Sequence, residues 1–131
     1  MIYSEKQIEL LSLALMGDKK AQKLLNDECK PLKQLEGALK ADKNSIEWLL
    51  KNDKMLAVFD DAVGGSRSAV RLLMQKKEFG WAAVANYMNG DDEALVWLKK
   101  QGLQAFVKLA LGIKELQKHD SSKGISFLFK P

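Results

Sequence analysis

The chain holds a single cysteine, Cys29, and a single histidine, His119. Tetrahedral zinc sites draw three or four ligands from these two residue types at short spacings, so the sequence offers no zinc pattern. Cys29 and His119 are also the only possible Cys/His catalytic pair, and 90 residues of chain separate them. A lone cysteine beside a helix end reads as a small buried hydrophobe. Two acidic clusters stand out, Asp60-Asp61 and Asp91-Asp92-Glu93. The second falls in the first turn of a helix, where carboxylates favour the positive end of the dipole. Asp60 and Asp61 are the least poor candidates for paired-carboxylate chemistry, yet nothing marks them as a general acid and base. The expectation is therefore no catalytic residue, no metal and no cofactor.

Two further patterns can bind ligands. Gly64-Gly65-Ser66-Arg67-Ser68 sets two glycines, a hydroxyl and an arginine before a helix N-terminus, where backbone N–H groups can hold a phosphate. It lacks the Gly-Lys-Ser/Thr ending of a P-loop and reads better as a turn between helices. Lys19, Lys43 and Arg67 occupy one position, directly after a helix cap, as a DNA-gripping stripe would; Asp92 interrupts it in the fourth instance. Acids interleave with the other lysines, so a solvated mixed-charge face is the favoured reading. Nucleic-acid binding through Lys43, Arg67 and their neighbours remains the alternative to protein binding.

The charge balance agrees. Of 131 residues, 21 are Lys or Arg and 17 are Asp or Glu, a net charge of +4. Residues 1–50 balance eight lysines against eight acids, whereas residues 101–131 carry five lysines and two acids. The excess gathers at the C-terminal end and forms no dense basic stripe. A single cysteine suits a reducing compartment, and residues 1–16 read as an amphipathic helix without the basic start of a signal peptide. No run approaches the ~18 apolar residues of a membrane span. These features point to the cytoplasm.

The elements that must carry these side chains follow from internal self-similarity. Gly17-Asp18-x-x-Ala21-x-x-Leu24-Leu25 is echoed by Ala41-Asp42-x-x-Ser45-x-x-Trp48-Leu49, Gly65-Ser66-x-x-Ala69-x-x-Leu72-Leu73 and Gly90-Asp91-x-x-Ala94-x-x-Trp97-Leu98. The cap residues stand 24, 24 and 25 residues apart. Asp and Ser are N-cap types, whose side-chain oxygen accepts from a free backbone N–H of the first turn. A small residue before the cap permits a tight exit from the preceding helix. A small residue three positions after the cap permits close helix packing, and the Leu or Trp positions beyond it are read as core. Before each cap, Leu11, Ala14, Leu15 and their counterparts Leu35, Ala38, Leu39, then Phe59, Ala62, Val63, then Val84, Tyr87, Met88 keep i, i+3, i+4 spacing.

Each unit is thus two short helices and a turn. The predicted helices are 4–16, 18–28, 31–41, 42–52, 54–64, 66–77, 79–89, 91–101 and 103–119. The expected fold is all-α: a right-handed α-solenoid of four helix-turn-helix repeats of 24–25 residues, with the lead helix capping one end. A compact bundle closing on itself is the runner-up. Residues 1–119 form the single domain. Residues 120–131 form a linker, Asp120–Gly124, and an apolar tail, Ile125–Phe129, that either covers the last helices, docks on another chain, or is exchanged in a homodimer.

The unit resembles the helix pairs of helical-repeat proteins, ankyrin-like and HEAT-like pairs among them. The run Gly90-Asp91-x-x-Ala94-x-x-Trp97-Leu98-x-x-x-Gly102 is similar to the helical part of an ankyrin repeat. The period is shorter than in either family, and no Thr-Pro-Leu-His signature or hairpin linker is present. The resemblance spans residues 11–113, implies the partner-binding role common to such repeats, and carries over no functional residue. The expected role is a non-enzymatic protein-interaction or scaffold module, acting as a monomer or a tail-exchanged homodimer. Trp81, on a second helix beside Phe79, is the candidate surface anchor, with core filling as the favoured reading of the same residue. Tyr87, Arg67, Arg71 and the tail residues Phe127 and Phe129 complete the candidate contacts with a protein partner.

Overall fold

A computed structural model describes residues 1–119 and shows nine helices and no strand among them. They are α1 (Glu5–Leu15), α2 (Lys19–Glu28), α3 (Lys30–Leu39), α4 (Lys43–Asn52), α5 (Lys54–Val63), α6 (Arg67–Gln75), α7 (Phe79–Met88), α8 (Asp92–Lys100) and α9 (Gln104–His119). Every predicted helix is present, and the fold is all-α as expected. The local signals act as read. Asp18 accepts from the Ala21 N–H at 3.0 Å, Asp42 from Asn44 at 2.9 Å, Ser66 from Ala69 at 3.2 Å and Asp91 from Glu93 at 3.1 Å. Each cap satisfies a donor that the helix itself leaves open.

The turn before each even-numbered helix needs a left-handed residue. Glycine supplies it at Gly17, Gly65 and Gly90, whereas Ala41 takes the same conformation at φ 67° and Lys77 at φ 61° before α7. A Cβ is unfavourable there, because it approaches the following carbonyl oxygen.

Packing follows a simple rule. Each even-numbered helix bridges two consecutive odd-numbered ones: α2 lies on α1 and α3, α4 on α3 and α5, α6 on α5 and α7, α8 on α7 and α9. The odd-numbered helices also pack on one another in succession, α1 on α3, α3 on α5, α5 on α7 and α7 on α9. The lead helix, expected at one end of a row, makes its most extensive contact with α9. The two ends of the helical series therefore meet. Gly112 makes this possible, since a Cβ there would stand 3.1 Å from the Ser12 carbonyl oxygen. Lys108 pairs with Glu9 at 3.4 Å beside it, so α1 and α9 run in the same direction.

The core is one contiguous cluster running through all nine helices. Odd-numbered helices are hemmed in on several sides, and Trp81, Ala82, Ala83, Val84 and Ala85 are five consecutive buried residues of α7. Even-numbered helices make their extensive helix contacts with the odd-numbered layer. Their buried residues reduce to the third and seventh after the cap: Ala21 and Leu25, Ser45 and Leu49, Ala69 and Leu73, Ala94 and Leu98. The N-terminal segment folds beneath the odd-numbered helices. The Tyr3 hydroxyl donates to the Asp53 carboxylate, which also caps α5 by accepting from the Leu56 N–H. Burial, then the hydrogen bond to Asp53, holds the Tyr3 phenol above its ordinary pKa, so it remains a donor.

The strained turn at Ala41 yields a stability prediction. Left-handed geometry costs a non-glycine residue about 1–2 kcal/mol, and glycine gives back about 0.5–1 kcal/mol through its freer unfolded chain. Ala41→Gly is expected to stabilise the protein by roughly 0.5–1 kcal/mol, raising the melting temperature by a few degrees in calorimetry. A lower melting temperature would contradict this account of the turn.

Candidate functional site

Two of the four described contact candidates belong to one surface feature. Arg67 and Arg71, on the first turns of α6, are exposed and line a groove with Gly65, Val70, Asn86, Asn89 and Asp91. Among the described residues neither arginine has an ion-pair partner. Asn86 and Asp91 also border a second hollow of about 370 Å³ over α7, between α6 and α8. Met74, Phe79, Ala83, Glu93, Ala94 and Trp97 complete its walls. The two hollows form one trough along the outer face of α7. Its two ends differ in chemistry: guanidinium groups at the α6 N-terminus, and Met74, Phe79 and Trp97 towards the α7 N-terminus. These three side chains are 46%, 44% and 38% exposed.

Trp81 has a different place. It is 3% exposed and makes edge-to-face contacts with Phe59 at 4.9 Å, Phe106 at 5.3 Å and Tyr3 at 6.4 Å between ring centroids. It joins α5, α7, α9 and the N-terminal segment, so it is a core residue and no surface anchor. Gly80 makes room for this cluster, because a Cβ there would meet the Phe106 ring at 2.5 Å. The spacing of Trp81 and Phe106, 25 residues, matches the period of the caps and marks a shared inner position. Trp97 reverses the other way. Its position, six residues after the cap, is shared with Leu24, Trp48 and Leu72, and all four are half-buried or exposed. The helical period turns it ~60° from the third position and ~100° from the seventh. A helix packed against one layer buries too narrow a stripe to include it.

Tyr87 is half-buried at the end of α7, and the Lys114 ammonium lies 5.2 Å from its ring centre, a cation–π contact with α9. It faces away from the trough. Phe127 and Phe129 lie outside the described residues. The turn at Gly64–Ser68 is committed to structure, since the Ser66 hydroxyl caps α6. Lys19, Lys43 and Arg67 are each the exposed first residue of an even-numbered helix, and Asp92 takes that place in α8. Cys29 is buried at the α2–α3 junction. Among the described residues no three His, Cys, Asp or Glu side chains gather as a metal site would require, and no helix is long and apolar enough to cross a membrane.

The Asp60 carboxyl is pushed up to about 6 by burial and by the adjacent charge of Asp61. The charged form is destabilised in the fold, so stability declines as pH rises from about 4 to about 6 and then levels. The group is partly solvated, which screens much of the effect. Asp60→Asn is expected to add on the order of 1 kcal/mol at pH 7 and nothing at pH 4, read by denaturant titration at both pH values. Equal effects at both would remove the electrostatic explanation.

The chain matches no known family model, no curated protein and no solved structure at a significant level.

The exchanged places of the two tryptophans are directly testable. Trp81→Ala is expected to cost about 3–5 kcal/mol, as large-to-small core changes do. Trp97→Ala is expected to cost less than about 1 kcal/mol, the scale of surface substitutions. Chemical denaturation of the two variants measures both, and a larger loss from Trp97 would reverse the assignment.

Proposed function

We propose that the chain is a non-enzymatic protein-interaction module, built as a short right-handed α-solenoid of four two-helix repeats curled until its first and last helices meet. The even spacing of caps and the bridging of each odd-numbered pair by an even-numbered helix support the repeat reading. The trough over α7 is the docking surface. Its occupant is an amphipathic segment of a partner protein, with apolar anchors against Met74, Phe79 and Trp97 and acidic residues against Arg67 and Arg71. The observation that carries this reading is the exposure of three large apolar side chains around one hollow, continuous with two guanidinium groups that make no ion pair among the described residues. Exposed aromatics in a concave site are favoured binding anchors, and the arginines add orientation and a faster encounter.

The test uses the full chain immobilised against lysate of the native host, with and without nuclease. A protein should be retained after nuclease treatment. Its capture should weaken by at least about tenfold with Trp97→Ala plus Phe79→Ala, the scale of lost hot-spot contacts. Arg67→Glu plus Arg71→Glu should weaken it as well, and Lys19→Glu, away from the trough, should not. Capture that disappears with nuclease and falls steeply with salt would place the nucleic-acid reading first. Capture indifferent to the trough variants would overturn the assignment of this surface.

A further inference from the structure

Among the described residues the pattern of bridging helices is incomplete at one place. Four consecutive pairs of odd-numbered helices are each covered by an even-numbered helix, but α9 and α1, the most extensively packed pair of all, have none over them among the described residues. A hollow of about 220 Å³ lies there instead, lined by Glu9, Ser12, Leu13 and Met16 of α1 and by Lys108 and Leu111 of α9. Leu13, Met16 and Leu111 are 45%, 54% and 44% exposed, three of the most exposed apolar side chains of the helical body. The seam is apolar where every other seam has an amphipathic helix laid across it.

We infer that residues 125–129 of the same chain occupy this seam, in the place that a bridging helix takes over the other pairs. The chain leaving α9 is in position to do so. In each preceding unit an odd-numbered helix ends in a turn, and the segment that follows returns along it. α9 ends at His119, eight residues or about 12 Å beyond Leu111 at 1.5 Å per residue. The five residues Asp120–Gly124 reach about 16 Å when extended, enough to return to the level of Leu111 and Met16. Ile125–Phe129 then span about the same length, against about 10 Å from Met16 to Glu9 along α1. Four of these five residues are large and apolar, matching the three exposed apolar side chains of the seam. This surface is separate from the trough over α7, so the inference does not depend on the function proposed for that trough.

Cysteine cross-linking in the full chain tests it. Cys29 is buried and does not compete. Leu13→Cys, at an exposed position that tolerates a smaller side chain, is combined with Phe127→Cys and treated with a mild oxidant at low protein concentration. An intramolecular disulfide, seen as monomeric mobility and a loss of two mass units, is expected. The control pair Lys43→Cys with Phe127→Cys, on α4 away from the seam, should yield less than a tenth of that product. A disulfide-linked dimer from the first pair would overturn the inference in favour of tails exchanged between two copies. No disulfide, or equal yields from both pairs, would overturn it and leave the seam to another occupant. As an independent reading, Phe127→Ser plus Phe129→Ser should lower the melting temperature by several degrees in the otherwise unaltered chain. The same change should have little further effect in a Leu111→Ser background, because coupled contacts are not additive. Additive losses, or no loss at all, would likewise overturn it.

Discussion

Gly112 rests against the backbone of Ser12, close enough that a methyl group would stand 3.1 Å from the Ser12 carbonyl oxygen. That approach lets α9 lie along α1 over the most extensive helix–helix contact in the protein. An open row of paired helices leaves an apolar flank exposed at each end, and such flanks need dedicated covers. Here each terminal helix covers the flank of the other. The consequence is a division of labour. Odd-numbered helices become an inner layer with neighbours on several sides, which explains why α5 and α7 bury residues around most of their circumference. Even-numbered helices make their extensive contacts with that layer, so each needs little more than a small residue and a leucine, four positions apart, to be held.

The same division explains what could be read from the sequence. Helix positions were legible because their signals are local: a capping oxygen three residues or fewer from its donor, a left-handed turn residue, an i, i+3, i+4 stripe. Asp18, Asp42, Ser66 and Asp91 perform as caps without reference to the rest of the fold. The depth of a side chain in the inner layer was not legible in this way. Trp81 and Trp97 each sit on an amphipathic helix, and no local pattern says which one lies at the junction of three helices. That depends on α9 returning Phe106 to α7, a contact set by closure. The clue available in the sequence was periodic: Phe106 follows Trp81 by the same 25 residues that separate Ser66 from Asp91. Of the site, Arg67 and Arg71 are legible as cations at a helix start, whereas Trp97 reads from the sequence as core and no local pattern marks Met74 or Phe79. The exposure of Met74 and Trp97 follows from the narrow buried stripe of the outer helices, whereas Phe79 is exposed as the first residue of the inner helix α7.

Among the described residues the buried polar side chains are few, and no buried side-chain nitrogen or oxygen lacks a hydrogen-bond partner. Glu36 on α3 is 3% exposed and holds Lys33 at 2.9 Å and Lys40 at 2.7 Å, one turn away on either side. A charge this deep is tolerable only with such partners, since an unpaired one would carry its full desolvation cost. Asn89 donates to the Ala62 carbonyl at 2.9 Å, joining the ends of α7 and α5 across 27 residues of sequence. With the Tyr3–Asp53 hydrogen bond at the opposite end, polar contacts clamp both ends of an inner layer whose middle is apolar.

The narrow stripe of the outer helices has a functional corollary. A position that contributes little to the core can change without loss of the fold, and the sixth residue after the cap is such a position. It is leucine in α2 and α6 and tryptophan in α4 and α8, all with comparable partial exposure. The inner layer sets the geometry, while the side chains opposite this outer position decide how much apolar surface each groove presents, since α4 carries Trp48 there as α8 carries Trp97. Where it holds Trp97, with Met74 and Phe79 opposite, the groove over α7 becomes an apolar trough. Over α3 the corresponding groove is lined instead by Lys33, Gln34, Glu36, Gly37 and Lys40, with polar residues of α2 and α4 on its walls. One scaffold thus offers two grooves of the same construction and opposite character. The difference between them resides in side chains that the core does not require.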